Sequence, residues 1–73
     1  MAYQSWVKVT SSNLNAVIYD PEEQRMQVQF RSGSIYEYVD VPEDTYLGLI
    51  NASSKGKYFH RYVRNEFAFE QIK

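Results

Sequence analysis

The chain has 73 residues, no cysteine, and eight Lys and Arg against nine Asp and Glu, for a formal net charge of −1. A single domain of this length buries only about 60% of the surface that its unfolded form exposes. The hydrophobic share of 44% is enough for a core and excludes a disordered chain, and the charge balance argues against a uniformly basic nucleic-acid binder. The lack of cysteine excludes disulfides and thiolate metal sites. No signal peptide or membrane span is expected, which predicts a cytoplasmic protein without a membrane partner.

Three segments in the first half of the chain have the pattern of β-strands. Residues 14–19 are rich in β-branched and apolar side chains and end at an Asp-Pro turn. Residues 25–31 alternate polar and apolar side chains, which is typical of a half-buried antiparallel strand. After a turn that contains glycine, residues 35–39 form the third segment. Its two tyrosines share one face, which we place toward the core because Glu37 on the other face should stay in water.

Two short helices are predicted after these strands. Asp40 is a candidate N-cap for the first helix, with Glu43 three residues on as in a capping box and Pro42 in the first turn. An apolar stripe follows, and this helix should end near Ala52. The second helix should begin after the Ser-Ser-Lys-Gly segment at residues 53–56, in which either serine can cap.

Both ends of the chain leave two alternatives open. Residues 1–8 fit either an extra edge strand or an arm docked on the domain, which spans residues 9–73. The partly apolar tail fits either a short strand or irregular packing. The predicted fold class is α+β, a three-stranded antiparallel β-meander with one face covered by two short C-terminal helices. The sequence leaves open whether residues at the N- or C-terminus add an extra edge strand to this sheet.

Several motifs, in order and at sensible spacing, resemble those of the KTSC domain family over roughly residues 9–72. The matching segments are 9–14, 18–20, 33–38 with the family's Tyr-x-Tyr motif, 41–49 and 52–64. The motif residues that we expect to be structural are Tyr36, Tyr38, Pro42, Tyr58 and Phe59. The chain departs from the commonest family pattern at His60, where Asn is usual, and in an N-terminal extension that contains Trp6.

The resemblance also carries expectations about origin and function. The family is named for a domain at the C-terminus of some lysyl-tRNA synthetases, and it also occurs as small free-standing proteins in bacteria and phages. It therefore implies a compact bacterial or phage module. RNA binding has been suggested for the family from its association with the synthetase.

No catalytic site is expected. With one histidine and no cysteine, a Cys-His arrangement is excluded, and a Ser-His-Asp triad would need His60 with Ser53 or Ser54. No nucleophile-elbow signature supports such a triad. The carboxylates lie in predicted turns and helix caps, and they show no recognised metal-ligand spacing. We therefore expect no enzymatic activity, no metal and no cofactor.

Positive charge is concentrated in the second helix, although the net charge is near zero. Residues 55–64 contain basic residues and no acid, whereas most of the acidic residues lie within residues 20–44. Hydroxyls, backbone N–H groups and ammonium groups at a helix start suit an anion such as a phosphate. The candidate nucleic-acid or anion site consists of Ser53, Ser54, Lys55, Lys57, Arg61 and Arg64. The alternative is that these charges form only the solvated face of an amphipathic helix.

Three aromatic residues fit the core pattern less well than the others. Tyr3, Trp6 and Tyr19 are candidates for stacking on a base or packing on a partner. The first functional hypothesis is a small non-enzymatic module that binds RNA through its basic helix. The alternative is a protein-interaction or self-associating accessory module without nucleic-acid binding, in which an edge strand pairs with another protein or a second copy.

Overall fold

A computed structural model describes residues 5–9 and 11–73 and shows five strands and two helices in that part of the chain. The elements are β1 (Val7–Lys8), β2 (Leu14–Asp20), β3 (Arg25–Phe30), β4 (Ile35–Tyr38), α1 (Glu43–Asn51), α2 (Lys55–Tyr62) and β5 (Phe69–Gln71). The strands form one antiparallel sheet in chain order. The α+β class and the central meander are thus confirmed, and the sheet gains a short strand at each edge.

A bulge in β2 sets which side chains face the helices. β2 pairs with β3 from Leu14 opposite Phe30 to Asp20 opposite Arg25, with a register shift between Leu14 and Ala16. Side chains of a regular strand alternate between the two faces, so residues three apart would point to opposite sides. The extra residue of the bulge lets Leu14 and Val17 both join the core.

The core lies between one face of the sheet and the two helices. Its buried members come from every major element, and they include Val17, Val28, Leu49, Phe59 and Val63. On β3 the opposite face of the sheet is polar, as the alternation in that strand predicts, whereas β2 places Ala16 and Ile18 there. There Glu37 pairs with Arg25 at 3.4 Å and accepts a hydrogen bond from Gln27 at 3.3 Å.

Tyr19 is a core residue, and its prediction as a stacking or interface side chain is wrong. It is fully buried, and its ring stacks on that of Tyr46 with centroids 4.7 Å apart. Its hydroxyl donates a hydrogen bond to the carbonyl oxygen of Val41. The strand pattern alone did not place Tyr19 on the buried face, because the bulge that fixes this face is a feature of strand pairing.

The predicted cap of the first helix is wrong, and the predicted cap of the second helix is confirmed in its position but not in its side-chain hydrogen bond. Asp40 has a φ of 58°, and the N-cap of α1 is Pro42, which makes no side-chain cap hydrogen bond. The left-handed residue turns the chain so that the Val41 N–H donates to the carbonyl oxygen of Gln24 at 2.8 Å. Ser54 occupies the N-cap of α2 but likewise makes no side-chain cap hydrogen bond. The end of α1 is as predicted, with Ala52 at the C-cap.

Candidate functional site

The two ends of the central meander differ in charge. Successive turns of an antiparallel meander lie at opposite ends of the shared strand, here β3. At one end the β2–β3 turn carries Glu22 and Glu23, whose backbone N–H groups donate to the Asp20 carboxylate. At the other end the β3–β4 turn carries Arg31 and contains Gly33, whose φ of 99° suits the predicted hairpin. Acidic and basic residues, which the sequence already separates, therefore lie at opposite ends of the strands.

The basic end of the sheet is joined to the start of α2 by the loop of residues 11–13. The Ser11 hydroxyl accepts hydrogen bonds from the backbone N–H groups of Asn13, at 3.2 Å, and Leu14, at 3.3 Å. The Arg31 guanidinium donates to the Ser11 carbonyl oxygen at 3.1 Å. A side chain at Gly56 would begin 3.1 Å from the Ser11 hydroxyl oxygen, so glycine lets the loop approach the helix closely.

Two contiguous pockets open at this end of the molecule. The larger, with a volume of about 730 Å³, lies between the β3–β4 hairpin, α2 and β5, and we call it the aromatic pocket. Its aromatic side chains are Phe30, Tyr36, Tyr38, Phe59 and Phe69, and its basic ones are Arg31, His60 and Arg64. The smaller, of about 430 Å³, is called the hydroxyl pocket and is lined by Ser11, Ser12, Asn13, Ser54, Lys55, Gly56, Lys57 and His60. Ser12, Asn13, Gly56 and His60 line both pockets, which therefore form one groove.

The groove gathers most of the predicted anion-site residues. Ser54, Lys55 and Lys57 line the hydroxyl pocket, and Arg64 lines the aromatic pocket. The Lys55 ammonium group also donates to the Ala52 carbonyl oxygen at 2.9 Å, which ties it to the end of α1. The Arg64 guanidinium donates to Nδ1 of His60 at 3.3 Å.

Two residues of the predicted anion site lie elsewhere. Ser53 and Arg61 are exposed but line neither pocket. The Arg61 guanidinium instead lies 5.6 Å from the centroid of the Tyr62 ring. Not every basic residue of the second helix therefore faces the groove, because successive residues of a helix point in different directions.

The aromatic candidates separate into three groups. Tyr3 lies outside the described residues, and Trp6 is 44% exposed and lines neither pocket. Tyr58 packs at the α1–α2 contact, where it meets Gly48 and its ring lies 4.7 Å from that of Tyr62. Tyr36, Tyr38 and Phe59 pack in or against the core, and each also lines the aromatic pocket.

The sequence did not reveal the groove residues that lie far from α2 along the chain. The sequence predicts only that Arg31 ends a strand and that Ser11, Ser12 and Asn13 belong to a family motif. They join the site because the Arg31 backbone N–H donates to the Asn13 carbonyl oxygen at 2.8 Å, a contact between distant segments. The only available signal was that both the serine-rich motif and the second helix belong to the same family pattern.

The hydroxyl of Tyr38 is directed to the groove. Tyr38 is 3% exposed, and no residue of the described chain forms a hydrogen bond with its hydroxyl. In that same part of the chain, no fully buried side-chain nitrogen or oxygen lacks a partner. The hydroxyl oxygen must therefore reach solvent, and the aromatic pocket that Tyr38 lines is its outlet.

This environment predicts a loss of stability in alkali. Burial raises the pKa of Tyr38 from 10.0 to about 12, the charge of Tyr36 adds to this effect, and Arg64 opposes it. A raised pKa means that the neutral phenol stabilises the folded state fully below pH 10 and that this contribution is lost between pH 10 and about 12. Burial also raises the pKa of Tyr19, Tyr46 and Tyr58, so these phenols likewise lower the stability of the fold in alkali.

We expect the melting temperature to be lower at about pH 11 than at about pH 9, with phenolate absorbance rising together with unfolding. Tyr38→Phe should make this decrease smaller, since phenylalanine cannot ionise. An equal melting temperature at both pH values would contradict the buried, neutral state of these phenols.

Two further properties of the described residues bear on function. They contain no group of three or more His, Asp or Glu side chains placed to hold a metal ion. Within residues 5–9 and 11–73, neither helix combines the length and the apolar character that a membrane span requires.

The fold places the chain among small α+β domains, and comparison with known proteins defines its family. The chain belongs to the KTSC domain family, whose model matches residues 10–67. A KTSC domain protein from Yersinia pestis has a similar structure, with a TM-score of 0.92, 32% sequence identity, and coverage of 99% of this chain and 100% of that one. The resemblance seen in the sequence motifs is thus confirmed.

Relatives of two kinds are similar to the chain. A lysine–tRNA ligase of Nostoc sp. is 42% identical over 66 residues, which are 90% of this chain but only 12% of the ligase. A lysine–tRNA ligase of Nostoc punctiforme is 36% identical over the same length, again 12% of that protein. An uncharacterised protein of Stutzerimonas stutzeri is 40% identical over 58 residues and is itself covered to 82%. The domain therefore occurs both as a small part of lysine–tRNA ligases and as most of a short protein.

Proposed function

We propose that this protein is a small RNA-binding module that holds the RNA backbone in the groove formed by α2, the loop of residues 11–13 and the β3–β4 turn. The observation that carries the proposal is the charge of this groove. Of the eight Lys and Arg in the chain, Arg31, Lys55, Lys57 and Arg64 line it, whereas none of the nine Asp and Glu is among its lining residues in the described part of the chain. A local basic surface on a slightly acidic protein favours a polyanion at one place.

The chemistry of the hydroxyl pocket suits a sugar-phosphate backbone. Serine hydroxyls and the Asn13 amide can donate to phosphate oxygens, and Lys57 adds a positive charge. The same neutral groups can bond a ribose 2′-hydroxyl, which distinguishes RNA from DNA. The similarity to part of the lysine–tRNA ligases adds support for RNA, because those enzymes are named for a tRNA substrate.

The module acts by binding, without catalysis. The Nδ1 atom of His60 accepts from Arg64, and among the described residues no carboxylate lines the groove to pair with this imidazole. A histidine in this setting lacks the base or orienting partner that nucleophilic catalysis requires. The proposal places the protein in the cytoplasm of a bacterium or of a phage-infected cell, where tRNA and other RNAs are present.

Salt-dependent binding tests the proposal. Fluorescence anisotropy of a labelled single-stranded RNA should show affinity that falls about 20- to 50-fold between about 50 and 200 mM salt, as three or four phosphate contacts require, and tRNA, which is largely double-helical, should show a loss at least as large. The expected loss reflects release of condensed counterions, so the logarithm of the affinity should fall linearly with the logarithm of the salt concentration. No salt-sensitive binding of either RNA would contradict the proposal.

Two single substitutions in α2 form a matched pair for the same measurement. Lys57→Gln and Arg61→Gln each remove one positive charge, but only Lys57 lines the groove. Lys57→Gln should weaken binding several-fold and lower the salt slope by about 1, whereas Arg61→Gln should leave the slope nearly unchanged. Equal losses would indicate attraction by net charge rather than contact in the groove.

A second candidate function is self-association of two copies through β5. This strand lies at one edge of the sheet, and Phe69 and Ile72 are exposed there. An edge strand has backbone groups available for pairing with another strand. Light scattering should then give a mass that rises from monomer to dimer with concentration, and Phe69→Lys should abolish the rise. A constant monomer mass would exclude this candidate.

A further inference from the structure

The aromatic pocket adjoins the proposed phosphate site. It shares four lining residues with the hydroxyl pocket, among them Ser12 and His60. Its volume of about 730 Å³ lies within the range of about 300–1,000 Å³ that is usual for small-molecule sites. An RNA strand with a phosphate in the hydroxyl pocket can therefore place the group attached to that phosphate against the rings of the aromatic pocket.

The rings of this pocket are held in fixed orientations by one another. Phe59 meets both Phe30 and Tyr38 edge to face, with centroids 5.5 and 5.6 Å apart. Phe69 on β5 lies 5.6 Å from the ring of Tyr36 and 5.4 Å from that of Tyr38, and it is 54% exposed. The pocket thus presents one largely uncovered ring on a rigid aromatic base. Such a surface allows a flat ligand to stack without ordering the protein first.

The polar groups of the pocket can recognise the edge of a flat, hydrogen-bonding ligand. The Tyr38 hydroxyl has no hydrogen-bond partner within the described chain, and its oxygen reaches solvent at this pocket. A ligand atom can therefore replace water at this hydroxyl, as donor or acceptor, without breaking a hydrogen bond inside the protein. Arg31 and Arg64 add guanidinium donors on the same pocket.

We propose that the aromatic pocket binds one unpaired base of the RNA, so that the substrate class of this module is single-stranded RNA. The assignment rests on the proposed function, because the phosphate of the same nucleotide is held in the adjoining hydroxyl pocket. In a duplex, each base is stacked on both sides and its edge is paired, so it cannot enter the pocket without leaving the helix. Stacking on Phe69 and hydrogen bonding to Tyr38 are available only to an unpaired base.

Binding of a single-stranded RNA and of the duplex of the same sequence tests this inference on the full chain at low salt. The single strand should bind at least about tenfold more tightly than the duplex. Phe69→Ala should weaken binding of the single strand about tenfold, which is within the range found for loss of one stacking ring, and should leave duplex binding unchanged. Tyr38→Phe keeps the packing, so it should weaken single-strand binding several-fold without lowering the melting temperature.

Tyr62→Ala is the matched control. Tyr62 is a similarly exposed aromatic residue, at 48%, that lines neither pocket, so its removal should not change RNA binding. Equal affinity for single strand and duplex, unaffected by Phe69→Ala and Tyr38→Phe, would overturn the base pocket while leaving salt-dependent RNA binding intact. Such a result would also be expected if the pocket accepts a protein segment instead. Absence of binding to both RNAs would overturn the proposed function and this inference together.

Discussion

Tyr19→Ala is expected to lower the free energy of unfolding by about 4–6 kcal/mol. Removal of a large buried aromatic side chain costs about 3–5 kcal/mol, and the hydrogen bond to the Val41 carbonyl adds about 1 kcal/mol. The ring of Tyr19 is fully buried and stacked on Tyr46 at an interplanar angle of 9°. A domain of this size has a stability of about 4–11 kcal/mol, so the variant should be near the limit of folding.

Urea denaturation followed by circular dichroism measures this effect, and two further variants separate its causes. Tyr19→Phe keeps the ring but leaves the Val41 carbonyl without its donor, so it should lose about 1–2 kcal/mol. Tyr62→Ala removes an exposed tyrosine and should cost less than about 1 kcal/mol. A loss below about 1 kcal/mol for Tyr19→Ala would mean that Tyr19 is not a core residue, and a surface role would again be open.

The double variant Lys57→Glu/Arg64→Glu is expected to weaken RNA binding at least about 100-fold at about 0.1 M salt. Each residue lines one of the two pockets, so the pair places negative charge along the whole groove. A hydrogen bond to a charged group contributes about 1.5–3 kcal/mol, and the loss of two such contacts corresponds to at least about two orders of magnitude in affinity. Circular dichroism should show an unchanged fold, since both side chains are exposed.

The control for this experiment is Lys8→Glu/Arg61→Glu, which changes the net charge by the same amount. Both residues are exposed, and neither lines the groove. At about 0.1 M salt it should weaken binding less than about threefold, because exposed charges that make no contact with the RNA are largely screened at that concentration. If both double variants weaken RNA binding equally, the groove has no special role.

The central meander could be predicted because its signals are local. The alternation in β3 has the period of two, and the turns at each end contain proline or glycine where the backbone needs them. The edge strands could not be assigned, because β1 and β5 have only two and three residues. Two or three residues are too few to show a periodicity, and such strands exist only through pairing with β2 and β4.

The errors at Tyr19 and Asp40 have the same origin. An Asp three residues before a Glu predicts a capping box, but the chain needs a left-handed residue at Asp40 to pass from β4 to α1. The position of Tyr19 depends on the bulge in β2 and on the helix residue Tyr46 that covers it. Both outcomes were decided by contacts between segments, which outweigh local preferences of about 1 kcal/mol.

The position of the predicted anion-site residues could be anticipated in part. Ser54, Lys55, Lys57 and Arg64 lie together in the groove, since they are neighbours in one helix or directly adjoin it. Arg31 and the loop of residues 11–13 could not be connected with them, because these segments lie far apart along the chain and meet only through strand pairing and helix packing. The aromatic residues were expected to be structural, and they are, but the same rings also line a pocket.

The amino-acid sequence by itself determined a cysteine-free α+β fold of the KTSC family, and it showed that a net charge of −1 is the sum of an acidic and a basic region. These conclusions follow from composition, periodicity and motif order, which are properties of the chain alone. Only the tertiary structure decided which residues line the groove. In the described part of the chain, its lining contains basic residues beside aromatic rings and no acidic residue. Strand pairing and helix packing bring together residues far apart in sequence, and no local pattern records which of them will meet.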